Sequence, residues 1–204
     1  MRTLIKRINF SPIVFSGPSG AGKTELIDYI VKRDSLFEEA SGMTTRKRRQ
    51  GEEGNTQFVT KEDFRIAIHN GELIQYAEYN GNYYGTSKSA LSLLQYKQIL
   101  FNMGYDGTMA LKKIRPDSLL IYILPPTKEE LLKRMGDRGK ERYAIGRDQT
   151  MKSIGTYDYL LISYTDSMDE LYDDFMSILD GTERGKEKSL QLSKNRDFMR
   201  KFYN

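Results

Sequence analysis

Eight consecutive residues, Gly17-Pro18-Ser19-Gly20-Ala21-Gly22-Lys23-Thr24, constrain this chain more than any other stretch. They match G-x-x-x-x-G-K-[ST] at every fixed position. Ile13-Val14-Phe15 come just before them, and the helical pattern Leu26, Ile27, Tyr29, Ile30, Val31 comes just after. The glycines therefore sit where a buried strand hands over to a helix, the junction this motif requires. Glycine lets the backbone wrap closely, so that N–H groups point at phosphate oxygens. The helix start adds partial positive charge. Lys23 then reaches β- and γ-phosphates, and the Thr24 hydroxyl helps hold Mg²⁺.

The rest of the composition narrows the class. A chain of 204 residues suits one or two small domains with a sizeable core. It has no cysteine, which excludes disulfides and cysteine-based metal sites. Its single histidine, His69, falls at the end of a helical stretch and reads as a surface residue. The net charge of +4 suits anionic ligands such as nucleotides without arguing for nucleic acid. Met1 to Phe10 holds no apolar core of signal-peptide length, and no run approaches a membrane span. A cytoplasmic protein without a membrane or nucleic-acid partner is the expectation.

Taken in order, apolar runs alternate with helical patterns. Ile13–Ser16, Gln98–Met103, Leu119–Leu124 and Tyr159–Ser163 read as core strands. Helices are expected from Lys23 to Arg33, over Ser87–Gln95, from Lys128, and over Asp169–Leu179. This alternation predicts βαβ units and a mainly parallel sheet in a three-layer α/β/α fold. Phe58 to Thr86 is richer in strand signals and reads as a small mixed α/β insert. Its helix opens at Thr60, with Asp63 as the capping partner. The cations of Arg46-Lys47-Arg48-Arg49 suit either a solvated basic loop or an anion clamp, since arginine forks match phosphate oxygens. Beside a phosphate-binding loop the clamp is favoured. The tyrosines at 83 and 84 suit either a packed hairpin or hydroxyls facing a ligand. Arg134 and Arg138 lie one helical turn apart and read as surface ion-pair partners or as part of a basic lid. The tail from Gly181 reads as a docked helix or an oligomer contact.

Together these residues resemble guanylate kinase over roughly Ile13 to Leu179. The resemblance rests on the glycine loop, Thr44-Thr45-Arg46 with Arg49, Gly51-Glu52, Gly81-Asn82-Tyr83-Tyr84-Gly85-Thr86, Pro125-Pro126, Arg134, Arg138-Gly139 and Tyr157-Asp158-Tyr159. It implies transfer of the γ-phosphoryl group of ATP to GMP with Mg²⁺. It implies a core of residues 1–40, 88–133 and 155–181, an acceptor-binding insert at 41–87, a helical lid at 134–154, and a separate tail at 182–204. Gly17, Ser19, Gly20, Ala21, Gly22, Lys23, Thr24, Arg134 and Arg138 would bind ATP, with Thr24 serving the metal. Arg46, Arg49, Gln75, Tyr84, Thr86 and Asn102 would hold the acceptor. Lys23, Arg46, Arg138 and Arg147 would neutralise charge during transfer. A homodimer is compatible with the tail.

The departures from the family gather at the acceptor site. Gly42 stands where the family has Ser, Thr56 where it has Tyr, and Gln75 where it has a guanine-binding Glu. Asn102 and Gly104 replace two Asp, Arg48 replaces a Pro, and Ser163 replaces a late Asn. Asp106 lies near the lost pair but at a different spacing. Guanine presents two adjacent N–H donors that suit a carboxylate, so an altered base preference is expected. The alternatives are a catalytically weak binding or interaction domain, and a kinase of a phosphorylated sugar.

Overall fold

The structure, a computed structural model, describes residues 10–48, 55–79, 81–136, 139–164, 167–181 and 198–203. Arg49, Arg138 and most of the 182–204 tail lie outside the described residues. β1 (Ile13–Ser16) is buried along its whole length. A strand covered on both faces needs apolar residues in succession, which Ile13-Val14-Phe15 supplies. β7 (Gln98–Asn102) and β8 (Leu119–Leu124) flank it, while β2 (Phe37–Glu39) and β9 (Tyr159–Ile162) form the edges. The order is β2-β7-β1-β8-β9, and every pairing is parallel.

Helices cover both faces. α1 (Lys23–Arg33) and α6 (Met168–Leu179) pack on one, where Phe15, Leu26, Ile27 and Phe175 are fully buried. α3 (Tyr105–Ile114), α4 (Lys128–Met135) and α5 (Gly139–Ser153) lie outside this cluster. From α3 and α4, Leu111, Leu131 and Met135 join Val14, Phe101 and Tyr122 in the second core. This is the three-layer arrangement expected from the alternation of patterns. In such a fold, ligands sit beyond the carboxyl ends of the strands. Here those ends deliver the glycine loop after β1, Asn102 at the end of β7 and Glu39 at the end of β2.

A second, mixed sheet has the order β4-β3-β6-β5, built from Gln57–Phe58, Gly42–Thr44, Asn82–Ser87 and Leu73–Tyr79. α2 (Lys61–His69) packs Phe64 and Ala67 against Leu73, and the Tyr83 ring stacks on Phe64. This insert thus has its own small core. Thr60 and Asp63 form a complete capping box at the start of α2, a feature that contributes about 1 kcal/mol. His69 is exposed at the end of α2, as expected.

The helical stretch expected at Ser87–Gln95 is present over Lys88–Gln95 with 3₁₀ geometry. Residues three apart eclipse in that geometry, which puts Leu91 and Leu94 on one side. β2 holds one apolar residue and is too short to show a period, so it was not expected. α3 begins with Tyr-Asp-Gly-Thr, which lacks an apolar stripe until Leu111. At the end of the chain, residues 198–203 are helical and bury Met199, Phe202 and Tyr203 in the second core. Those residues are docked on the domain.

Candidate active site

The glycine loop takes the shape its sequence demands. At Gly17 φ is +145°, and a Cβ there would lie 2.2 Å from the Ile123 carbonyl oxygen. No other residue fits that position. Gly22, at φ +94°, caps the start of α1. Lys23 folds back over the loop, and its Nζ donates to the carbonyls of Gly17 and Pro18, each at 2.8 Å. Burial lowers its pKa to about 8.

Arg134 belongs to the rigid wall of this cradle. It sits on α4, donating from Nε to Glu130 and from its two terminal nitrogens to the hydroxyl and carbonyl of Ser163, each at 2.9 Å. Ser163 in turn donates to the Ala21 carbonyl at 2.7 Å. The ion-pair reading of Arg134 holds, with Glu130 as partner, and the side chain lies beside Gly20 and Gly22 of the loop. A cavity of about 520 Å³ opens between this wall, the glycine loop, Asn102 and Gly104. Its lining of loop backbone, lysine and arginine suits a polyphosphate.

The second cavity, about 290 Å³, belongs to the insert. Thr44 and Thr45 fix its geometry. The Thr44 hydroxyl donates to the Tyr83 carbonyl and the Thr45 hydroxyl accepts from the Tyr83 N–H, both at 2.9 Å. Thr44 pairs with Tyr84 across the strands. This clamp brings Arg46 and Tyr84 into the same cavity. Phe58 lies under the Arg46 guanidinium at 5.2 Å. The two tyrosine readings also divide: Tyr83 packs on α2 and Tyr84 faces the cavity.

Gln75 and Thr86 are opposite each other in register and line the cavity's far wall. The Gln75 side chain lies across Gly107 of α3, where a Cβ would meet its Cγ at 3.0 Å. At Gly104, a Cβ would meet the Gln149 carboxamide of α5 at 3.5 Å. The space beside the lost acidic residue is thus bordered by an amide from another element. Thr56 lines the cavity next to Gly42.

Asn102 lines both cavities, and its Nδ2 donates to the Thr24 hydroxyl at 3.3 Å. The two chambers therefore share one wall at the carboxyl end of β7. Arg147 is exposed on α5, next to Gly146, which packs against Pro18 of the loop. It is not among the residues lining either cavity. Sequence reasoning missed Glu39, Gly107 and Gln149. Glu39 lines the insert's cavity, and burial followed by the nearby charge of Asp28 raises its pKa to about 7. No motif marks these three, because each matters through contacts with distant segments.

The family model for guanylate kinase matches residues 9–182. The chain belongs to the guanylate kinase family. It is 34% identical over 189 residues to the guanylate kinase of Alkalilimnicola ehrlichii, covering 88% of this chain and 92% of that one. It is also 34% identical over 161 residues to the guanylate kinase of Lactococcus lactis, covering 74% of this chain and 78% of that one. Among solved structures, a guanylate kinase from Anaplasma phagocytophilum superposes with a TM-score of 0.65 at 25% identity, covering 88% of each chain. For a guanylate kinase-family chain, the Tyr157-Asp158-Tyr159 motif has a structural meaning here. The Asp158 carboxylate accepts from the Leu120 N–H and ties β9's entry to β8. Among the described residues no helix is long and apolar enough to cross a membrane. None of their acidic, histidine or cysteine side chains cluster as a metal site. A nucleotide-borne Mg²⁺ does not require one, because it takes one or two protein ligands and completes its shell with phosphates and water. The Thr24 hydroxyl fits that limited donor set.

Proposed function

We propose that this protein is an ATP-dependent nucleoside monophosphate kinase. It transfers the γ-phosphoryl group of ATP to GMP, dGMP or a related nucleoside monophosphate, in a site whose base contacts are altered at Gln75. The observation that carries this reading is the shared wall at Asn102. A polyphosphate cradle and a chamber with an arginine and a tyrosine hydroxyl meet there. Two phosphate sites facing one another are what direct transfer requires.

Transfer between phosphates depends on positioning and charge neutralisation, with no covalent protein group needed. The loop N–H groups and Lys23 hold the donor phosphates. Arg134, fixed by Glu130 and Ser163, supplies a cation that need not reorganise during the reaction. Arg46 and Tyr84 hold the acceptor's phosphate. Mg²⁺, held from the protein by Thr24, would neutralise charge on the donor phosphates. Arg138 and Arg147 complete the proposed set from the lid, whose closure would exclude water.

The deciding experiment incubates the protein with ATP, Mg²⁺ and a panel of nucleoside monophosphates and sugar phosphates. Turnover of one or more nucleotides is expected. Turnover of sugar phosphates alone, or ligand binding that leaves ATP intact, would overturn the reading.

A further inference from the structure

The acceptor cavity holds one cation and one carboxylate among its lining residues, Arg46 and Glu39. No ion pair joins them among the described residues. A cavity lined by a carboxylate at one position and an arginine at another suits a dipolar ligand. One end must be anionic and the other must offer N–H donors.

Glu39 is placed for the second task. It ends β2, in register with Leu100 of β7, so it lies at the same sheet edge as Asn102. Its backbone is fixed by its carbonyl, which accepts from the Asn55 side-chain amide at 2.9 Å. The Ala40 N–H that follows donates to the Leu100 carbonyl at 2.9 Å. The side chain has no hydrogen-bond partner among the described residues. Neighbouring Glu38 differs: its carboxylate pairs with Lys97 at 3.1 Å. A half-buried carboxylate without a protein partner in a cavity wall is open to N–H donors from a ligand. The raised proton affinity of Glu39 has the same origin in burial.

The family's carboxylate at position 75 is a glutamine here, and that at position 104 is a glycine. The structure supplies another carboxylate to the cavity from a different strand. We propose that Glu39 is the residue that reads the acceptor base, accepting hydrogen bonds from two adjacent N–H donors such as guanine's N1–H and 2-amino group. The Gln75 amide lines the same cavity. This inference rests on the nucleoside monophosphate kinase reading above. It commits the acceptor to a guanine-type base. Adenine presents an acceptor at N1 and would face the carboxylate with repulsion.

The test compares wild type with Glu39→Gln and with the control Glu38→Gln, using GMP, IMP and AMP. IMP lacks the 2-amino group, so the GMP-to-IMP ratio isolates one hydrogen bond. In wild type GMP is expected to be preferred over both. In Glu39→Gln the KM for GMP should rise roughly 10- to 100-fold, the scale of a lost charge-assisted hydrogen bond. The GMP-to-IMP ratio should fall to within a few-fold of one, and the KM for ATP should not change. Glu38→Gln should match wild type. The glutamine variant removes a carboxylate that burial disfavours, so folding is not at risk. If it keeps the wild-type KM and GMP-to-IMP ratio while turnover is normal, Glu39 is not the reader and the kinase reading stands. If no nucleotide is phosphorylated by wild type, the kinase reading fails. Calorimetric binding of GMP and IMP then decides Glu39 separately, and equal binding by both proteins overturns it.

Discussion

One contiguous loop, residues 17–24, supplies a large part of the wall of the cavity proposed for the donor, and much of that part is backbone. The acceptor cavity instead takes side chains from β2, β3, β5, β6 and β7. This difference has a physical consequence. Backbone N–H groups offer the same chemistry whatever the side chains, so a phosphate cradle tolerates change elsewhere in the chain. Side-chain recognition can be rebuilt by single substitutions. Of the departures from the family, Gly42, Thr56 and Gln75 fall in the second kind of site, Asn102 touches both, and Gly104 lines the glycine-loop cavity alone.

Several substitutions separate the two halves. Lys23→Met should have the largest effect. It should lower turnover ~100- to 1000-fold, the scale of removing one preorganised charge donor, while a thermal melt shows a folded protein. Arg46→Ala should raise the KM for the acceptor by ~10- to 100-fold and leave the KM for ATP near its starting value. Steady-state kinetics with each substrate varied in turn checks this separation. Equal changes in both constants would mean that the halves are not independent.

A finer cut uses Gly107. Adding a methyl group there would press on Gln75 from 3.0 Å. Alanine is favoured over glycine within a helix by about 1 kcal/mol, so the fold should tolerate the change. Gly107→Ala should therefore shift the acceptor KM by roughly 10-fold or less, with melting temperature little altered. A loss of ATP affinity would place Gly107 in the donor half instead.

The smallest effect concerns protons. The Lys23 pKa is depressed to about 8 because burial disfavours its charged form. An unfolded lysine titrates near its ordinary, higher value. Its burial penalty is thus present below pH 8 and is relieved as pH rises from about 8 through the unfolded pKa. Phosphates stabilise the charged form, so ATP binding above pH 8 should take up a fraction of a proton. Calorimetry in two buffers of different ionisation enthalpy measures this, and Lys23→Met should abolish it.

Within the acceptor half, what could be read varied with the span of the contact. The Thr60 and Asp63 capping box is a matter of three residues, and it formed as expected. The split between Tyr83 and Tyr84 follows from strand alternation, but which one faced inward needed α2 in place. β2 has too few residues to show a pattern, so nothing in the sequence singles out Glu39. Gln75 was recognisable as a departure, yet its support by Gly107 joins residues 32 positions apart.

The sequence by itself determined the phosphate loop, the parallel core and the family to which the chain belongs. These depend on contiguous motifs and on apolar runs whose period is set by local geometry. Only the tertiary structure decided that Arg134 is pinned by Glu130 and Ser163, that two cavities meet at Asn102, and that Glu39 lines the insert's cavity. Each of those results depends on where parallel crossovers bring distant strand ends together, and no local pattern encodes that.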